Sequence, residues 1–486
     1  MIMSKIMNNR RIFVTFLPRL LGLILSISSL TACAPVNQAS AQKQNSINHP
    51  DHKKIIRAFG GVYEDFKVGS YVAGLSLKIA KSSDDPESTY RVTVLDSPQV
   101  NAFAMPGGYT YVTRGLLALA NNEAEVAAVM GHEIAHVTAA HGNERQRTSI
   151  GAAVLATVLG NVLNSRIANQ IIDIGATGLM ASYSRKQEYE ADRLGVQSLY
   201  RAGYDPYAGG DFLAAMGRLN EREARLSGGN SVPGWFSTHP DTGDRVSKAH
   251  KIAEGLVVNS NWRRNHGRAT HLAAIDGMLY GDAPDEGFIR GQDFLHPLLR
   301  FSFSVPDSFK LINSSQAVFA KGPEGAIIKF DMADADQSTN AYLTDIWAEG
   351  LSLRDISEIN SNLDGATAIH EQSGKISRLV VLQAGERKVY RFVMQSPSYA
   401  FEGLDGGFKA TARDFKKLTI EEAGKLRPLK IKILTVREDD RVQNFVKQMK
   451  GVETPEEMFR ILNGLGASEH LVSGTKVKII TDSQVF

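Results

Sequence analysis

Cysteine is almost absent: 486 residues contain one, Cys33. A lone thiol forms no internal disulfide, and it cannot supply the thiolates of an all-cysteine closed zinc site. Excess charge of one sign is also missing. The formal net charge is +3, and residues 1–33 contribute Lys5, Arg10, Arg11 and Arg19 without a single Asp or Glu, so the remainder carries −1. The basic balance belongs to that leader, and no electrostatic case for nucleic-acid binding survives it. Long apolar runs are lacking beyond the leader as well. Residues 150–164 are uncharged, and residues 171–183 are interrupted by Asp173, with Arg166 between the two runs. Each is too short to span a bilayer, so a buried or membrane-facing helical pair, able to act as a lid, is expected.

The single cysteine has a context. Four cations precede an apolar run over residues 20–30, which closes as Leu30-Thr-Ala-Cys33. Small residues before a cysteine at the end of a secretory leader predict cleavage and attachment of diacylglycerol to the Cys33 thiol. Ala34 is not the aspartate that would favour the inner membrane, so the expected setting is a bacterial envelope with the chain anchored at the outer membrane and facing the periplasm. A plain signal peptide or an uncleaved signal anchor, with an incidental cysteine, is the competing reading. Residues 34–50, rich in Gln, Asn and Ser, read as a tether.

The chemistry is carried by His132-Glu133-Ile134-Ala135-His136. Residues i and i+4 share a helix face, so both imidazoles can converge on one metal ion. Glu133 then takes a proton from a water held at that ion and returns it to the leaving amine. The surrounding segment, residues 123–140, is Ala-rich and proline-free, with Val126, Val129, Met130, Ile134 and Val137 at helical spacing. Asn121 or Asn122 is the expected N-cap and Gly142 the expected stop.

A catalytic zinc needs a third protein ligand and an open position. Thr138-Ala-Ala-His141-Gly142 places histidine one position too early for the metzincin spacing. The gluzincin pattern asks instead for a carboxylate on a later helix, which Ser184-Arg-Lys-Gln-Glu188-Tyr-Glu-Ala-Asp192 offers. Glu188 and Asp192 share a face, so Glu188 can bind the metal while Asp192 orients a ligating histidine. Glu190 lies about 200° around that helix and is expected to face elsewhere.

With these motifs the chain resembles the HtpX-like and CAAX-prenyl-protease-like zinc peptidases, in their lipoprotein and periplasmic branch. The resemblance rests on His-Glu-Ile-Ala-His at 132–136, Tyr183-Ser-Arg-Lys-Gln-Glu-Tyr-Glu-Ala-Asp192, Asn101-Ala-Phe-Ala-Met-Pro-Gly-Gly108 and Ser237-Thr-His-Pro240. It spans residues 50–255. It implies one Zn2+, Glu188 as third ligand and a mainly helical domain with the ligands on two core helices. It further implies that Asn101, Ala102, Phe103 and Ala104 form a substrate-binding edge strand, the first arm of a hairpin that turns at Pro106-Gly-Gly. It also places His239 near the metal and Arg245 in the same cleft. His239 is therefore an auxiliary or regulatory candidate, and Arg245 a candidate for stabilising the oxyanion. A structural reading pairs Arg245 with Asp241 or Asp244.

Some 450 residues exceed one core, so several domains are expected in an α+β chain. The peptidase domain occupies 51–255, followed by a linker at 256–296. Residues 297–412 show β-branched and alternating runs, which predict an α+β domain with an antiparallel sheet and no catalytic constellation. Residues 425–486 read as strand, helix, helix, strand and resemble a LysM module, although Asp439-Asp440-Arg441 stands where Gly-Asp-Thr is usual, which weakens a peptidoglycan role. The expected function is a metalloendopeptidase, and the resemblance implies that it acts on unfolded or misassembled envelope proteins. The alternative is a zinc-stabilised chaperone or assembly factor whose protease site is mostly latent.

Overall fold

Asp65 opens the first long helix by accepting the Val68 amide at 3.0 Å. In this helix, α1 (Phe66–Lys81), Val68, Val72, Leu75 and Ile79 fall on one face and are buried. The structure is a computed structural model and describes residues 52–141, 183–226, 234–258 and 265–482 apart from 106, 241–242, 315–316 and 360–361. The leader, Cys33, the tether, Gly142, Asp241 and almost all of the two apolar runs lie outside these residues.

Three strands come after α1: β1 (Arg91–Leu95), β2 (Ala102–Met105) and β3 (Tyr109–Thr113). β3 is central, parallel to β1 and antiparallel to β2, with Ala102 opposite Val112 and Met105 opposite Tyr109. The expected hairpin is present, and β2 is the edge of this sheet. Thr113 caps α2 (Arg114–Leu119), and Asn122 caps α3 (Glu123–Thr138), its side chain accepting the Glu125 amide at 2.9 Å. Of the two asparagines offered by the sequence, the second does the capping. Helix α4 (Arg185–Arg201) starts with a reciprocal capping box between Ser184 and Gln187.

Helices α3 and α4 cross at two glycines. A Cβ on Gly195 would lie 3.0 Å from the His132 nitrogen, and one on Gly131 would lie 3.3 Å from the Gly195 carbonyl. Without side chains there the backbones approach closely, which brings the 132/136 face of one helix against the 188/192 face of the other. Helices α5 (Ala208–Leu226) and α6 (Arg245–Leu256) pack around this pair, and α7 (Arg268–Ile275) packs on α1 and α3.

Residues 256–296, read from the sequence as a linker, contain α7, strand β4 (Leu279–Tyr280) and two further strands, Phe288–Arg290 and Asp293–His296. Leu272, Ile275 and Met278 are buried in the same core as Val68, Leu116 and Met130. The elements are too short for their periodicity to announce them, and their burial is decided by distant partners.

Beyond them, a seven-stranded antiparallel sheet and a four-stranded one form the next layer, covered by the helix Ser398–Arg413. Phe301, Phe303, Phe330, Phe392, Phe408 and Phe415 fill its core. The antiparallel sheet expected of this region is observed, running from Lys310–Asn313 at one edge to Leu353–Glu358 at the other.

The C-terminal segment has the order β5 (Leu429–Thr435), α8 (Val442–Val446), α9 (Pro455–Asn463), β6 (Lys476–Thr481). β5 and β6 pair antiparallel, and β4 joins β5 as a third strand. Ile431, Phe459, Val477 and Ile479 belong to the core that also holds α1 and α3. No helix among the described residues is long and apolar enough to cross a membrane.

Candidate metal centre

The crossing of α3 and α4 gathers four donors. His132, His136, Glu188 and His239 each present one ligand atom, and these atoms lie within 4.8 Å of one another. His136 Nε2 is 3.0 Å from His132 Nε2. Glu188 Oε2 is 3.6 Å from His132 Nε2, and its Oε1 is 3.5 Å from His136 Nε2 and 3.0 Å from His239 Nδ1. All four residues are buried.

The donor chemistry suits a metal ion. Asp192 Oδ1 lies 2.9 Å from His132 Nδ1 and accepts the proton there, which leaves a bare lone pair on Nε2 facing the centre. Burial lowers the pKa of His132 against the raising pull of Asp192 and Glu188, so the ring stays neutral. Burial also raises the Glu188 carboxyl, against His132 and Arg245. Lone pairs and carboxylate oxygens crowded this closely, out of water, are stabilised by a cation among them. Two or three imidazoles with one carboxylate are a set that zinc accepts.

His239 sits at the end of the short helix Trp235–Thr238, with φ −122° and ψ 82°, short of the fully extended backbone expected before proline. Its ring stacks on Trp235, centroids 4.0 Å apart and planes 17° apart. Nδ1 is 3.2 Å from His132 Nε2, and Nε2 is 3.4 Å from Glu133 Oε1. The other oxygen of Glu133 accepts the Ala104 amide at 3.0 Å. The strand residues therefore divide. Ala104 reaches the site, Asn101 is turned to Thr113, and Phe103 stacks on Tyr111. Ala102 is buried in the core.

Arg245 corrects an expectation. Its guanidinium donates to both oxygens of Asp192, at 2.8 and 2.7 Å, and lies 2.8 Å from Glu188 Oε2. Only 1% of the residue is exposed. It stands behind the ligands, committed to their carboxylates, and is not aimed at a substrate oxygen. Asp244, one of the pairings the sequence offered for it, accepts from the Tyr189 hydroxyl and pairs with Lys248. Burial raises the Asp192 carboxyl, but the hydrogen bonds from Arg245 and His132 outweigh it and hold the group below the usual carboxylate range.

Three contributors went unnoticed in the sequence. Trp235 packs on His239 four positions along the same turn, a spacing that could have revealed it. Tyr183 stacks on His136, centroids 3.7 Å and planes 19° apart. His141 Nδ1 lies 2.9 Å from His136 Nδ1. For the last two no local pattern distinguishes the contact.

Residues 69–253 match peptidase family M48. That span holds all four gathered donors. Over 173 residues it is 34% identical to the mitochondrial metalloendopeptidase OMA1 of Arabidopsis thaliana, covering 35% of this chain and 33% of that one. Over 218 residues it is 29% identical to the beta-barrel assembly-enhancing protease of Escherichia coli K12, covering 42% and 44%. The chain thus spans less than half the length of these curated relatives. A solution structure of cyanobacterial PsbP from Synechocystis aligns with 28% of this chain at 9% identity and TM-score 0.21, too slight a likeness to carry an argument.

Proposed function

We propose that this chain is a zinc-dependent endopeptidase of the bacterial cell envelope, lipid-anchored through Cys33, that hydrolyses peptide bonds in unfolded or misassembled proteins. The observation that carries the activity is the position of Glu133. Its carboxylate lies between the edge-strand amide of Ala104 and the cluster formed by His132, His136, Glu188 and His239. A zinc ion held by His132, His136 and Glu188 supplies Lewis-acid chemistry, polarising a carbonyl and acidifying water. Glu133 removes the proton from the attacking water and delivers it to the departing amine. Strand β2, with one side on β3, presents its other side to an extended peptide, which main-chain hydrogen bonds can hold with little regard to side chains. That weak selectivity suits unfolded substrates, and a relative named for enhancing β-barrel assembly is in keeping with an envelope setting.

One observation favours a second reading. His239 is part of the donor group, and a fourth protein ligand closes the position that water needs. A chain held in that state acts as a binding or assembly factor with a latent site. Glu133→Gln separates the two readings. Under the peptidase reading the purified variant retains zinc but loses casein cleavage, and the cellular phenotype is lost with it. Retention of the phenotype by this variant supports scaffolding instead.

A further inference from the structure

The two metal-facing histidines of α3 are supported differently, and one support is unassigned. His132 gives its Nδ1 proton to Asp192, itself gripped by Arg245. At His136 the corresponding atom meets another ring. Its Nδ1 lies 2.9 Å from the Nδ1 of His141, and His141 Nε2 in turn faces Glu190 Oε2 at 3.6 Å. His141 is 5% exposed, whereas the Glu190 side chain is 42% exposed.

We propose that Glu190 and His141 form an outer relay that sets the tautomer of His136 and so fixes it as a ligand. The proton inventory leaves one arrangement. To offer a lone pair at Nε2, neutral His136 must carry its proton on Nδ1, and that proton then points at His141 Nδ1. His141 Nδ1 must therefore be the acceptor, which places the proton of His141 on Nε2. The atom facing Nε2 is the Glu190 carboxylate oxygen, an acceptor only. Each link demands the next, and the chain ends at the half-exposed Glu190 carboxylate. Glu190, displaced around α4 from Glu188 and Asp192, thus acts on the centre from outside it. His141 and Glu190 are positioning residues, and they touch neither substrate nor water in the reaction.

The inference rests on the zinc peptidase reading, and its test separates the two. Zinc affinity of the full chain is measured by competition with a chromophoric chelator, with cobalt(II) substitution as a spectroscopic readout. His141→Phe keeps a ring but removes the acceptor, and should weaken zinc binding about 10- to 100-fold, the usual effect of deleting such an outer partner. His141→Gln, whose amide oxygen accepts a proton, should recover part of the loss. Glu190→Ala lies at the surface, where it leaves folding intact, and should weaken zinc several-fold and alter the cobalt absorption. If both His141→Phe and Glu190→Ala bind zinc like the wild type, the relay is wrong while the peptidase reading stands. If His141→Phe does not fold, Glu190→Ala decides alone. A wild-type chain that binds no zinc overturns the peptidase reading and the relay together.

Discussion

Arg245 is the residue on which the buried charges depend. It is fully enclosed and pairs with both Asp192 and Glu188. Removing one partner of a buried ion pair leaves an uncompensated charge, so Arg245→Met should cost about 3–5 kcal/mol in the zinc-free chain, read by urea denaturation. The same variant should change the acid limb. Because the Asp192 pKa is depressed in the fold, its contribution to stability is complete above its unfolded value of 3.8 and is lost as pH falls below it. The stability lost by the wild type below about pH 4 should therefore shrink in Arg245→Met. His239 predicts a different outcome. As a fourth donor it competes with water for the metal, so His239→Ala should raise peptide cleavage while loosening zinc, checked by turnover beside chelator competition. Enhanced cleavage in the intact mutant identifies the histidine as a latch, and unchanged cleavage removes it from the site.

Among the elements, the α3–α4 crossing sets the geometry. The two glycines let the helix backbones approach until a Cβ on Gly195 would press on His132. Gly195→Ala has nowhere to place its methyl group except against backbone atoms, at 3.0 Å from the His132 nitrogen and 3.2 Å from its Cα. Separating the helices to admit it should cost about 1–3 kcal/mol and weaken zinc, since the two faces would no longer converge. Thermal melting with and without zinc measures both effects. The helices themselves were legible from periodicity and capping residues. Their crossing was not, because nothing along either segment states that the single glycine of one meets the single glycine of the other.

The C-terminal unit belongs to the architecture of the peptidase domain. Lys478 of β6 is completely buried, and its Nζ donates to the carbonyls of Ala118, Leu119 and Ala120 at 2.9, 3.1 and 2.6 Å. These carbonyls end α2, where acceptors are left over and the helix dipole favours a cation, one turn before α3 begins. Burial pushes the lysine pKa well down, against the pull of Glu125. Arg268 from α7 bonds the Asn121 carbonyl beside it and the Lys476 carbonyl on β6. Lys478→Met would take this donor from the three carbonyls, of which only Ala120 keeps a contact with His271 Nε2, so a loss of about 1–3 kcal/mol is expected by denaturation. Lys478→Arg, too bulky for a site built around one ammonium, should not restore it. One face of the unit is therefore occupied by the chain's own core, whatever its outer face meets.

The sequence by itself determined the chemistry and its helices. His132 and His136, and likewise Glu188 and Asp192, are i and i+4 on an α-helix, so their shared faces come from local geometry. The hairpin of β2 and β3 and the antiparallel sheet of the second domain were readable from alternation and turns. What tertiary structure alone decided is which distant groups close upon that face. The commitment of Arg245 to Asp192 and Glu188, the approach of Glu190 to His141, and the lysine from residue 478 seated on α2 all join segments far apart in the chain. Such contacts are set by packing and by the need to satisfy every buried charge and carbonyl, a condition of the folded interior that no local spacing contains.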